Sequence, residues 1–181
     1  MEVTRSPLPE VLILEPRVFA DDRGHFFEGY NQREFAAQTG VRATFVQDNL
    51  SRSKKGVLRG LHYQNPQPQG KLVRVLAGEI FDVVVDIRRG SPTFGKSTAI
   101  RLSAENALMI WVPVGFAHGF LALSDIADVL YKTTEYYAPQ HEHCIVWNDP
   151  HLAIKWPLTG APELSAKDRS GKRLEDSAVF T

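Results

Sequence analysis

The sequence predicts an all-β chain, built of short antiparallel strands that close into a sandwich or barrel. Three observations carry that reading. Turn residues recur about every eight to twelve positions between short apolar runs. Residues 79–88 alternate with period two. Phe81, Val83, Val85 and Ile87 share one face, and Asp82, Val84, Asp86 and Arg88 share the other. One face then packs on the core while the other is polar or lines a cavity. Finally, only one stretch before residue 160 or so has a helical pattern.

In chain order, residues 11–15 make an opening strand, and Asp21-Asp22-Arg23-Gly24 turns into a second strand over 25–30. Asn31 caps a helix over 32–39 that Gly40 terminates. Residues 44–47 read as a strand ended by Asp48-Asn49-Leu50-Ser51. Residues 71–77 and 79–88 are two strands joined near Gly78. Gly90-Ser91-Pro92 is a turn, and 97–102, 107–112, 119–123 and 127–134 are further strands. After Pro157 the chain changes character: Gly160-Ala161-Pro162 breaks it, and 163–169 makes a short helix in a polar tail. No linker divides the 181 residues, so one domain is expected, with 158–181 packing on the barrel.

Composition narrows the function. The formal net charge is +0, from 21 basic and 21 acidic residues, which gives no bulk attraction to nucleic acid or to an anionic membrane surface. No apolar run is long enough to span a bilayer. The one cysteine, Cys144, excludes an intrachain disulfide and suits a reducing compartment, so a cytoplasmic location is expected.

The chemistry concentrates in residues 56–74, where Arg59, His62 and Lys71 lie in strand-like sequence broken by Gly60, Gly70 and the loop Asn65-Pro66-Gln67-Pro68-Gln69. A base, a guanidinium suited to phosphate and a second cation fit an anionic substrate that loses a proton. A strand pair with solvated charges fits the same residues. Among the other histidines, His118 sits in Pro113-Val114-Gly115-Phe116-Ala117-His118, whereas His141, His143 and His151 lie in polar sequence and read as solvated.

Gly56, five residues and His62, with the Pro113-x-Gly115-x-x-His118 motif, resemble the two signatures of the cupin β-barrels. Metal-binding cupins carry a second histidine where this chain has Gln64, and a glutamate where it has Pro68 or Gln69. Two histidines are too few ligands for zinc, iron or manganese, so no metal is expected. A closer resemblance lies in residues 16–24, 45–51, 58–64, 69–74, 81–88, 91–95, 115–120, 131–137 and 164–168. In that order they are similar to the dTDP-4-dehydrorhamnose 3,5-epimerase family, which implies a cupin-type jelly-roll barrel with a few short helices.

The resemblance also implies a function. The family inverts C3 and C5 of a dTDP-4-keto-6-deoxy sugar through an enolate, needing neither metal nor redox cofactor. It assigns His62 as base, Asp168 as its partner, Tyr131 as acid on the opposite face, and Lys71 at the enolate oxygen. Arg23 and Arg59 match diphosphate and sugar contacts. Glu28 and the run Gln47, Asp48, Asn49 match polar contacts to base and sugar. Tyr137 matches a ring that stacks on thymine, beside Tyr136, and His118 a sugar contact. Glu142 and Lys167 match further nucleotide contacts. The family is dimeric, so a homodimer is expected, with N-terminal strands joining the partner's sheet. The competing readings are a relative that inverts one carbon only, a nucleotide-sugar binder without catalysis, and a metal-dependent oxygenase, against which Gln64 argues.

Overall fold

The computed structural model describes all of residues 1–181. Two antiparallel sheets face each other. The six-stranded sheet has the order β1-β2-β10-β7-β12-β5, and the five-stranded sheet the order β13-β6-β11-β8-β9. The first comprises β1 (Glu2–Arg5), β2 (Leu12–Glu15), β5 (Gln47–Lys54), β7 (Lys71–Ala77), β10 (Met109–Val112) and β12 (Ile126–Thr133). The second comprises β6 (Leu58–Gln64), β8 (Glu79–Asp86), β9 (Ser97–Ser103), β11 (Phe116–Ala122) and β13 (Glu142–Cys144). A small hairpin of β3 (Phe19–Asp21) and β4 (Gly24–Phe26) stands apart.

The core between the sheets is made by Val73, Val75 and Val129 from one side and Ile80, Val84, Phe116 and Phe120 from the other. Each such fully buried side chain contributes roughly 1.5–3 kcal/mol by leaving water. The outer faces are covered too. Helix α1 (Gln32–Thr39) lays Phe35 on Leu12, Leu14, Leu72, Met109 and Trp111. The tail lays Leu152, Leu174 and Val179 on Val83, Val85 and Ile87. Strand β8 is thus buried on both sides. Its apolar face lies under the tail, and its mixed face, with Asp82 and Val84, looks into the barrel.

The expected helix is found at its predicted bounds. Asn31 accepts from the Arg33 and Glu34 amides, and Gly40 closes the helix at φ 74°. Three expectations need correction. Residues 25–30 are not one strand: β4 stops at Phe26, after a hairpin turn at Asp22-Arg23. Residues 48–51 do not end a strand, because β5 runs Gln47–Lys54. Its polar sequence hides strand propensity, but pairing along the whole of β12 supplies the backbone bonds. His143 is not simply solvated: it lies in β13, stacks on Tyr63 at 5.2 Å and places Nε2 3.0 Å from the Asn65 carbonyl. Strands β1, β3 and β13, each of three or four residues, left no pattern long enough to read.

Candidate active site

A cavity of about 280 Å³ is lined by residues of both sheets. Strand β6 supplies Arg59 and His62 to its wall. Residues three apart in a regular strand point to opposite faces. Here β6 carries an extra residue: His118 pairs with His62, but Phe120 pairs with Arg59. This bulge turns both side chains to the cavity. Gly60 makes it possible, at φ 111°, where any Cβ would sit 2.6 Å from the Gly119 Cα.

The remaining wall follows from strand alternation. Lys71 opens β7, Tyr131 comes from β12, and Asn49 and Ser51 lie two apart on β5. Tyr131 is the direct register partner of Asn49. His118 on β11 is the register partner of His62. Tyr137, Glu142 and Lys167 close the rim.

Asp168 reaches the site from the tail. Ser165 caps the short helix α2 (Ala166–Arg169), accepting from the Asp168 amide at 3.1 Å and donating to Asp168 Oδ2 at 2.6 Å. The other carboxylate oxygen lies 2.6 Å from His62 Nε2 and accepts from the Gly60 amide at 3.1 Å. Burial alone would raise this carboxyl, but those hydrogen bonds and the imidazole hold it well below the usual range. The ionised Asp168 accepts from Nε2–H, so the neutral His62 ring keeps its lone pair on Nδ1. Burial, only partly offset by Asp168, lowers the His62 pKa. The ring is therefore a neutral base at neutral pH.

Lys71 is buried, with Nζ 3.4 Å from the His62 carbonyl. Burial lowers its pKa to about 8, against the pull of Glu142 and Asp82. It is a cation at neutral pH with little solvent around it, the condition in which a charge acts most strongly on a neighbouring oxyanion. Burial raises the Tyr131 phenol above its ordinary 10, so it keeps its proton. Glu142 clamps the rim, accepting from Tyr137 Oη at 2.7 Å and from Lys167 Nζ at 2.7 Å. A neutral base, a phenol acid and a desolvated cation around one cavity can move protons on carbon beside a carbonyl.

The structure brings His62, Tyr131, Lys71, Arg59, Asn49, His118, Tyr137, Glu142 and Lys167 to one cavity, with Asp168 behind His62. Of the adjacent tyrosines, Tyr137 is the one that lines it. Gln47 sits behind the wall, donating to Asn49 at 2.8 Å and accepting from the Tyr137 amide at 3.1 Å. Three expected residues lie elsewhere. Asp48 points to the opposite face of β5 and pairs with Lys132 at 2.9 Å. Arg23 is 89% exposed on the β3–β4 hairpin and pairs with Asp21. Glu28, just past that hairpin, accepts from Asn31 at 3.0 Å.

Sequence reasoning missed Ser51 and Gln69 in the wall, and Asp82 behind it. Correct bounds for β5 would have found Ser51, since it shares a face with Asn49. Gln64, in the place of a cupin metal ligand, spends its amide on the backbone instead. It donates to the Gln67 and Tyr136 carbonyls at 2.8 and 3.2 Å and accepts from the Ala138 amide at 2.9 Å. His62, Cys144 and Asp168 do converge within 4.8 Å. Asp168 is fully engaged in hydrogen bonds with His62, Gly60 and Ser165, and His62 spends Nε2 on it, so this group suits a metal poorly.

Known proteins place the chain. Residues 5–176 match the family model described as dTDP-4-dehydrorhamnose 3,5-epimerase. A relative of that name from Pseudomonas aeruginosa is 62% identical over 99% of this chain and 99% of its own. Another of that name, from Salmonella typhimurium, is 56% identical over 100% of this chain and 99% of its own. A crystal structure of a dTDP-6-deoxy-D-glucose-3,5-epimerase from Legionella pneumophila, in complex with dTDP-4-keto-L-rhamnose, superposes with a TM-score of 0.94 at 52% identity. The match covers 96% of this chain and 93% of that one. This chain belongs to the dTDP-4-dehydrorhamnose 3,5-epimerase family.

Proposed function

We propose that this protein is an isomerase that inverts C3 and C5 of dTDP-4-dehydro-6-deoxy-D-glucose to give dTDP-4-dehydro-L-rhamnose, by proton transfer through an enolate. The observation that carries the reading is the His62–Asp168 pair at 2.6 Å, set in one cavity with Lys71 and Tyr131. His62 Nδ1 takes the proton from the carbon beside the C4 ketone, and the electron pair of the C–H bond moves to the C4 oxygen. Lys71 stabilises that oxygen. Tyr131 gives its proton to the same carbon from the other face as the enolate collapses. His62 then releases its proton to solvent and the Tyr131 phenolate regains one. Arg59 and Lys167 hold the diphosphate side, and Tyr137 stacks on the thymine.

The test is proton NMR of the dTDP-keto sugar with enzyme in deuterated water. Deuterium at both C3 and C5 is expected. Exchange at one carbon marks an epimerase of one centre, and binding without exchange marks a nucleotide-sugar binder. Either result overturns the proposal.

The working unit is a homodimer. Strand β5 is a sheet edge, and the exposed Leu50, Leu76 and Ile126 lie on strands of that sheet. The β3–β4 hairpin exposes Phe19 and Phe26, and Arg23 on it and Glu28 just past it lie away from this chain's own cavity. A second copy that carries its hairpin to the cavity would complete the diphosphate contacts. A monomer at micromolar concentration in sedimentation contradicts this. Cys144 has no partner for a disulfide, which supports the reducing cytoplasm as the location. No helix is long and apolar enough to cross a membrane.

A further inference from the structure

Strand β8 carries two aspartates on the face that looks into the barrel, and both are fully buried. Their environments differ. Asp86 has every lone pair engaged: it accepts from the Arg88 amide and guanidinium and from the hydroxyls of Ser91 and Thr93. That is a structural carboxylate at the foot of a turn. Asp82 has a single bond, from Oδ2 to His118 Nε2 at 2.8 Å, and its Oδ1 is buried with no partner. A carboxylate left half unsatisfied in the interior destabilises the fold, and an apolar side chain of similar size would serve stability better. Such a group points to a role outside the packing.

Its one partner lines the cavity. His118 is itself buried, and Asp82 holds one of its two ring nitrogens. The other, Nδ1, is the one free for a ligand. We propose that Asp82 is a positioning residue of the reaction, holding the His118 ring in the Nε2–H tautomer so that Nδ1 accepts from a hydroxyl of the sugar. The proposal rests on the epimerase reading and adds to it the means by which the ring beside the base is oriented. An ionised carboxylate only accepts hydrogen bonds, so it forces the proton onto the nitrogen it faces. A flipped ring would meet the sugar hydroxyl with the wrong partner and would leave a buried nitrogen facing the carboxylate without a hydrogen between them.

Asp82 acts on a second group. Its negative charge is one of two that oppose the desolvation of Lys71. The charges close enough to act on Lys71 are Glu142 on β13 and Asp82 on β8, which favour its charged form, and Lys167 on α2, which opposes it. His62 on β6 presents a carbonyl at 3.4 Å, and Tyr131 on β12 shares the cavity. Removing the charge at 82 shifts this balance, so Lys71 loses its proton at lower pH.

Two measurements test the proposal. The first is the nitrogen-15 spectrum of histidine-labelled wild-type protein, with His118 assigned by difference from His118→Gln. The Nε2–H tautomer is expected, and the Nδ1–H tautomer overturns the proposal whatever any variant does. The second is Asp82→Asn, assayed by turnover and by dTDP binding. Turnover should fall roughly tenfold to a hundredfold, the cost of removing the carboxylate behind a metal-bound histidine being of that size. Binding of dTDP should persist, and the alkaline limb of the rate profile should move to lower pH. Unchanged turnover with an unmoved limb overturns it. Wild-type protein that exchanges no substrate deuterium sinks the epimerase reading itself. Active wild-type with an indifferent Asp82→Asn sinks only the role of Asp82.

Discussion

The cavity holds two histidine–aspartate pairs on neighbouring strands, and they are built differently. His62 is partly open to the cavity, and its carboxylate arrives from the far end of the chain, 106 residues on. Asp168 is satisfied on both oxygens, by Gly60 and Ser165 as well as by the ring. His118 is buried, its carboxylate is on the adjacent strand of the same sheet, and one oxygen of Asp82 has no partner. A base must become an imidazolium during turnover, and a fully hydrogen-bonded partner charge on a delivered segment stabilises it then. A ring that only orients a hydroxyl needs one fixed tautomer, which a rigid neighbour in the sheet provides. In the proposed reaction the same two residue types would serve proton transfer in one place and orientation in the other.

The largest effect that would break this contrast is at the base. His62→Asn should reduce deuterium exchange into substrate by roughly a hundred- to ten-thousand-fold while dTDP binding, followed by calorimetry, persists. Retained exchange would remove His62 from the mechanism. Next is the electrophile. Lys71→Met should cost roughly a hundred- to a thousandfold in turnover, as for the loss of an oxyanion donor. It should also stabilise the fold. Lys71 has a folded pKa of about 8 against an ordinary 10.5, so below pH 8 it is charged in both states and the fold bears the whole cost of burying it. That cost fades as pH rises from 8 towards 10.5. The gain from Lys71→Met, on the order of 1–3 kcal/mol at pH 7 by thermal denaturation, should shrink over the same range.

The acid comes third. Tyr131→Phe should slow inversion more than it slows proton abstraction, read as deuterium exchange outrunning product formation. Equal loss of both would count against the phenol. The pH profile of turnover sharpens the pair of rings further. Its acid limb should fall below 6.5, because His62 must be neutral and its pKa is lowered. Its alkaline limb should lie near 8, where Lys71 loses its charge. Asp168→Asn removes an influence that raises the His62 pKa, so its acid limb should move to still lower pH with a reduced maximum rate. The smallest effect belongs to Asp48. It faces away from the cavity in a surface pair, so Asp48→Asn should leave turnover unchanged and cost about 0–1 kcal/mol of stability.

Much of this site was legible because strand periodicity transmits directly to placement. Alternation in 79–88 separated the two faces of β8, and the Asn31 and Gly40 caps bounded α1. The order of motifs brought His62, Tyr131 and Lys71 together by resemblance. What stayed hidden has physical causes. The bulge that turns Arg59 and His62 to one face depends on a cross-strand register, not on residue type. Strand β5 is polar because one edge of the sheet and the cavity wall ask for polar residues, so its propensity misled. Asp82 read as one more residue on a polar face, and only its unpartnered oxygen sets it apart from Asp86. Asp48 shares a motif with Asn49 but not a face, since neighbours in a strand diverge.

The proposed reaction needs one arrangement: a ring at 62 and a phenol at 131 facing one sugar from opposite sides. A crystal structure of the His62→Asn variant with the dTDP-4-keto substrate tests it most directly. The expected result is the C3 and C5 hydrogens turned towards position 62, the Tyr131 hydroxyl beneath the other ring face and Lys71 Nζ within hydrogen-bond reach of the C4 oxygen. The substituted side chain at position 62 and Tyr131 on the same side of the sugar, or the sugar seated away from both, would contradict it.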